Sequence, residues 1–276
     1  MLAVFAHLAH FEAARGGQAA NDFAGELYVP DGEGLRHLVP GNRTALADLY
    51  WLKLIQYLAV ANEPQPAVLP LLCLITNLDP EYGYAYVVGG LVLAAKGRLD
   101  QSDEILSKGL KNAPTRWEIP FHLAFNAWYE RQDHAAGAAW LRLAVDVPGR
   151  PEYLPSLVAR LLATAGDVDA AIDFSKAMAS QAPNDATRKQ YHHKVGQLIL
   201  ERDLQCLERA IASFQEEEGR LPEGLKELPV EALTGLSQPL AVFEYDPTTG
   251  QVSTSLQEKR FKVKHVDDVQ IRATPR

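Results

Sequence analysis

The chain has 276 residues, 47% hydrophobic and 22% charged, which is the balance of a folded globular protein. A formal net charge of -8 offers no long-range attraction for phosphates and argues against nucleic acid as a partner. Only two cysteines occur, Cys73 and Cys206, far apart, so neither a disulfide framework nor a cysteine-based metal site can be read from them.

Residues 1–11 read MLAVFAHLAHF, an uncharged stretch far short of the roughly 20 residues that cross a bilayer. It also lacks a basic leader. Three readings stay open: an amphipathic helix that packs on the body, the remnant of a longer membrane anchor, or a weak signal peptide. His7 and His10 share a helical face there, and His192 and His193 are adjacent. Neither pair supplies the three or four converging ligands of a metal centre. Gly16-Gly17 and Gly89-Gly90 lack the remaining spacing of a phosphate loop. No metal, cofactor or small-molecule substrate is expected.

Thr44 is a candidate N-cap for a helix over 45–62, and a second helix is expected over 67–77, ending at Asp79-Pro80. Proline then recurs at Pro80, Pro114, Pro148 and Pro183, at spacings of 34, 34 and 35 residues. Each follows an amphipathic run. Upstream of Pro114 and of Pro183 stand the turns Gly97-Arg-Leu-Asp100 and Gly166-Asp-Val-Asp169, and Arg131-Gln-Asp133 fills the equivalent place between them. A fixed period of this length marks a repeat architecture.

The pattern resembles the tetratricopeptide repeat, whose unit of about 34 residues is a pair of antiparallel helices with small residues where they cross. Gly90, Ser102 and Pro114 match the first unit. Leu123, Ala124 and Ala136 match the second, and Val158, Ala159, Ala171 and Pro183 the third. Small residues suit a close helix crossing, because a larger side chain would force the axes apart. Tyr86, Pro120 and Pro155 replace the usual first-helix tryptophan. Both prolines fall in first turns, where a missing N–H is tolerated.

The resemblance implies a mainly α fold, a right-handed α-solenoid of tetratricopeptide helix pairs. In such repeats the first helix of each pair lines a concave groove. That maps here to Tyr84, Val87 and Leu91, then Phe121, Phe125, Trp128 and Tyr129, then Tyr153, Ser156 and Arg160. Aromatic side chains with an arginine carry binding energy in protein interfaces. The bland alternative is that about half of them pack between neighbouring helices. Lys53 is the one residue at a place suited to clamping a terminal carboxylate, so the expected ligand is an apolar helix or extended segment, with residues 1–14 of the chain itself as one candidate.

A long helix over 185–218 is expected to cap the repeats, stopping at Glu216-Glu-Glu-Gly219. Residues 220–228 read as a turn and a short helix. Strands are expected over 240–245 and 251–255 around the loop Asp246-Pro-Thr-Thr-Gly250, with a third over 259–266. This order resembles the C-terminal half of type II secretion pseudopilins and implies a small α+β C-terminal module.

Three segments result: 1–43, 44–218 and 219–276. The expected function is a non-catalytic scaffold that binds a protein partner as a helix or extended peptide. The alternative is an accessory structural subunit held permanently in a larger membrane complex of secretion, pilus or respiratory type. The resemblance to anchored bacterial repeat proteins favours the periplasmic side of the inner membrane; the lack of a complete anchor favours the cytoplasm.

Overall fold

The computed structural model describes residues 29–30, 32–39, 41–60 and 65–256. The expected features at residues 1–14, His7, His10, Gly16-Gly17 and strand 259–266 lie outside them. Among the described residues the fold is mainly helical with one small antiparallel sheet. The chain divides into two compact units, one of residues 1–126 with 146–149 and the other of 127–145 with 150–276.

The first unit contains α1 (Gly32–Leu38), α2 (Arg43–Val60), α3 (Val68–Leu78), α4 (Gly83–Ala95), α5 (Leu99–Asn112) and α6 (Glu118–Phe125). Helix α2 packs along α3, and α4 along α5; α3 also meets α4, while α5 and α4 meet α6. Thr44 lies inside the first turn of α2, not at its N-cap, because the helix opens at Arg43 and Leu46 N–H donates to the Asn42 carbonyl at 3.0 Å. The core is largely aliphatic, Leu54, Leu71, Leu72, Ile75, Leu93, Ile105, Leu106 and Ile119, with the phenols of Tyr50, Tyr57 and Tyr86 buried among them.

Close approach explains three glycines here. A Cβ on Gly90 would lie 2.5 Å from Leu106 Cγ, one on Gly109 2.5 Å from Tyr86 Cγ, and one on Gly89 2.6 Å from Leu72 Cδ2. No side chain fits at such distances without moving its neighbour. Pro80 and Pro114 follow α3 and α5 by two residues, as terminators that cannot continue a helix.

The second unit holds α7 (His134–Val145), α8 (Leu154–Thr164), α9 (Val168–Ser180) and the long α10 (Asp185–Glu218), packed in sequence order from α7 to α10. Leu141, Ala144, Leu154, Val158, Ala159, Ala171 and Ile172 are buried here. Asn184 caps α10, its side chain accepting from Thr187 N–H at 2.8 Å, and Gly219 ends it in the left-handed conformation at φ 69°.

Between α6 and α7 the chain makes a π-helical turn (Asn126–Glu130). Its consequence is a one-residue shift. In the turns after α4 and α8, Arg98 N–H donates to Leu93 C=O and Asp167 N–H to Leu162 C=O, each closing over five residues. In the middle turn Asp133 N–H reaches back six residues, to Ala127 C=O at 2.9 Å. Gly97 and Gly166 supply positive φ in the outer turns, at 71° and 89°, and Gln132 supplies it in the middle one at 57°. The inserted residue moves the small site of α7 from Ala136, expected there but only partly buried, to the buried Gly137. Ser102 and Ala171 are buried at the matching places of α5 and α9.

After Gly219 the chain forms a short 3-10 turn (Leu225–Glu227), α11 (Val230–Thr234), a second 3-10 turn (Leu240–Val242) and a hairpin of β1 (Phe243–Asp246) with β2 (Gln251–Thr254). The register pairs Phe243 with Thr254 and Asp246 with Gln251. Two expectations are corrected. Residues 240–242 turn instead of extending, with Val242 N–H donating to Pro239 C=O at 3.0 Å, so the strand begins at Phe243. The helix expected within 220–228 is a single 3-10 turn. Leu200, Leu204, Leu207 and Ile211 of α10 share one core with Leu225, Leu228, Phe243 and Val252.

Candidate functional site

Helix α4 has the sequence GYAYVVGGLVLAA, apolar on every face. Such a helix is ordinarily buried all round. One side is: Ala85, Tyr86, Gly89, Gly90 and Leu93 pack against α3 and α5. The other side carries Tyr84 and Leu91, two turns apart, with exposures of 52% and 51%, and Val87 and Val88 between them are only partly buried. The first unit therefore presents a continuous apolar helix face to solvent.

Phe121 and Phe125 belong to α6 in the same unit and are partly buried. Trp117 and Phe121 pack edge to face at 5.9 Å, and Phe121 meets His122 at 5.5 Å. Burial pushes the His122 imidazole below its ordinary value, against the opposing pull of the Glu118 carboxylate one turn earlier. Arg116 pairs with Glu118 at 3.5 Å, and the other Glu118 oxygen, Oε2, is buried without a hydrogen-bond partner.

The remaining expected groove residues are in the second unit. Trp128 and Tyr129 lie on the π-helical turn, Trp128 partly buried and Tyr129 exposed; its carbonyl accepts from Gln132 Nε2 at 2.7 Å. Tyr153 stands exposed at the N-cap position of α8, and Ser156 and Arg160 are exposed on that helix. Arg160 acts on Lys194 of α10, whose ammonium is pushed below its ordinary value first by burial and then by that positive neighbour.

Two residues outside the expected set join the first unit's apolar face. Trp51 of α2 lies 5.6 Å from Tyr84 with the rings at 68°, and 5.8 Å from Tyr82 at 54°. Burial, then the Asp48 carboxylate, pushes the Tyr82 phenol up. Trp51 was discoverable: it is the only tryptophan in the helix expected over 45–62. It escaped because that helix lies outside the three clear repeats.

Among the described residues, no three His, Cys, Asp or Glu side chains come together in a way that could hold a metal ion. Among them also, no helix is long and apolar enough to cross a membrane. An open surface recess of about 440 Å³ lies beside the hairpin, lined by Glu223, Leu225, Lys226, Leu240, Phe243 and Tyr245. Tyr245 donates from its hydroxyl to Pro222 C=O at 2.9 Å, which fixes one wall.

No protein family, curated protein or solved structure matches this chain.

Proposed function

We propose that the protein is a non-catalytic scaffold that binds a polypeptide segment along the exposed face of α4, with Tyr84, Val87 and Leu91 as the first contacts. The observation that carries this reading is that face itself. Half-exposed Tyr84 and Leu91 stand two turns apart, with only Val87 and Val88 partly exposed between them. Leaving aliphatic and aromatic area in water is unfavourable by roughly 25 cal/mol per Å², which a bound apolar segment would recover. Phe121 and Phe125 extend the surface onto α6; the second unit, taken by itself, offers Trp128, Tyr129, Tyr153 and Arg160 as proposed partner contacts of its own.

The reading of the helix pairs as tetratricopeptide-type repeats stacked in a solenoid is part of the same proposal. Glycines at the α4/α5 crossing, positive-φ turns at Gly97, Gln132 and Gly166, and the proline period support it. The hairpin packed on the C-terminal end of α10 supports the pilin-like reading of the last segment, which we assign as a second docking surface. Attachment to a bacterial membrane-associated assembly, on the periplasmic side, completes the proposal.

The test is a selection from a displayed library of 12-residue peptides, repeated with Tyr84→Ser/Leu91→Ser. Enriched apolar peptides that lose binding to the double variant, with helicity by circular dichroism unchanged, are expected. Peptides that bind both proteins equally would place the binding face elsewhere.

A further inference from the structure

The Tyr84 end of the α4 face brings aromatic rings and carboxylates together. Trp51 touches both Tyr82 and Tyr84, and Tyr84 is the most exposed of the three. Asp48 is exposed on α2 three residues before Trp51, so it shares a helix face with that indole, and the Asp48 and Asp79 carboxylates both push the Tyr82 phenol up, after burial. Arg116 packs over Gly83, where a Cβ would come within 2.8 Å of its Nε, but its charge is matched by Glu118 at 3.5 Å.

Ring faces carry negative potential and attract a cation placed within about 6 Å of the centroid, most strongly over tryptophan. Carboxylates beside the rings add a field of the same sign. From the juxtaposition of Trp51, Tyr84 and Asp48 we propose that this corner receives a lysine or arginine side chain of the bound polypeptide. The partner segment is then an apolar stretch with one basic residue at the end that meets the first turn of α4. This inference rests on the peptide-binding reading of α4 and supplies the charge of its ligand.

The probe is the peptide acetyl-Arg-Leu-Leu-Leu-Leu-Gly-amide and its citrulline counterpart, which keeps the shape and removes the charge. Each is titrated into the full chain while the Trp51 indole N–H resonance, assigned through Trp51→Phe, and the Leu91 methyl resonances are followed. The arginine peptide is expected to move both saturably, with the citrulline peptide about tenfold weaker, the size of a partly desolvated cation–π contact. Asp48→Asn, which keeps the size of the side chain and removes its charge, is expected to weaken the arginine peptide about threefold and leave the citrulline peptide unchanged; raising the salt does the same.

Equal affinity for the two peptides overturns the cation assignment and leaves the apolar face standing. So does a response of Leu91 without Trp51. A response at neither residue, with either peptide, counts against both readings.

Discussion

The Ser102 hydroxyl donates to the carbonyl oxygen of Gly90 at 2.8 Å, across the crossing of α5 and α4. The same hydroxyl accepts from Asn126 Nδ2 at 2.9 Å, and Asn126 also donates to Asp103 at 2.8 Å. Ser102 and Asn126 are both buried. The small site of this helix pair is thus a polar relay as well as a space for close approach.

Ser102→Ala removes the middle of that relay without adding volume. A cost of about 1–3 kcal/mol is expected, the usual range for stranding a buried hydrogen-bonding group. Gly90→Ala is expected to cost about 1–3 kcal/mol by overpacking against Leu106. Combined with Leu106→Ala, the glycine substitution should cost clearly less than the sum of the two single changes. Urea unfolding of the four proteins measures this, and strict additivity would mean the helices are not in contact at Gly90.

Gln132 holds a left-handed backbone at φ 57° where the two matching turns have glycine. That conformation costs a side chain roughly 1–2 kcal/mol, partly offset by the greater entropy that glycine loses on folding. Gln132→Gly is expected to stabilise the protein by up to about 1 kcal/mol, read as a rise in thermal midpoint. A fall in the midpoint would show that the Gln132 bond to the Tyr129 carbonyl matters more than the backbone conformation.

Asp203 is 1% exposed on α10, and its Oδ2 accepts from Ser237 N–H and Gln238 N–H, both at 2.9 Å. Asp203→Ala would leave two amides without their acceptor. Loosening of the segment between α11 and β1 is expected, seen as faster hydrogen exchange and proteolysis around residues 235–242 while α2 to α5 keep their protection. Unchanged exchange there would remove Asp203 from this role.

Burial holds the His122 imidazole below its ordinary value of 6.5, so between the folded and unfolded values the unfolded chain binds more protons. Stability from this group is complete above about pH 6.5 and falls as the pH drops below it toward the folded value. His122→Gln should flatten the decline in urea midpoint between pH 7 and 5. An identical decline in both proteins would assign the acid sensitivity to other groups.

The helical order, the terminating prolines and the positive-φ turns were legible because each rests on local chemistry. Gly97 and Gly166 had to end helices, and Asn184 with Gly219 brackets α10 through its own caps. The π-helical turn was not legible, since no residue in Asn126–Glu130 announces an extra backbone position. That one residue moved the small site from Ala136 to Gly137. Residues 240–242 alternate well enough for a strand, yet turn after Pro239, where a local bond to Val242 N–H wins over pairing. Trp51 and Tyr82 escaped because their meeting depends on α2 and α4 being neighbours, a tertiary fact that period and spacing do not carry.

The most direct measurement is photocrosslinking from p-benzoylphenylalanine placed at residue 91, in cells that make the protein natively, with the exposed position 190 of α10 as control. A discrete adduct with one polypeptide segment is expected from position 91, weakened by Tyr84→Ser and absent from position 190. Adducts that are the same from both positions, or that join position 91 only to lipid, would contradict a polypeptide-binding face on α4.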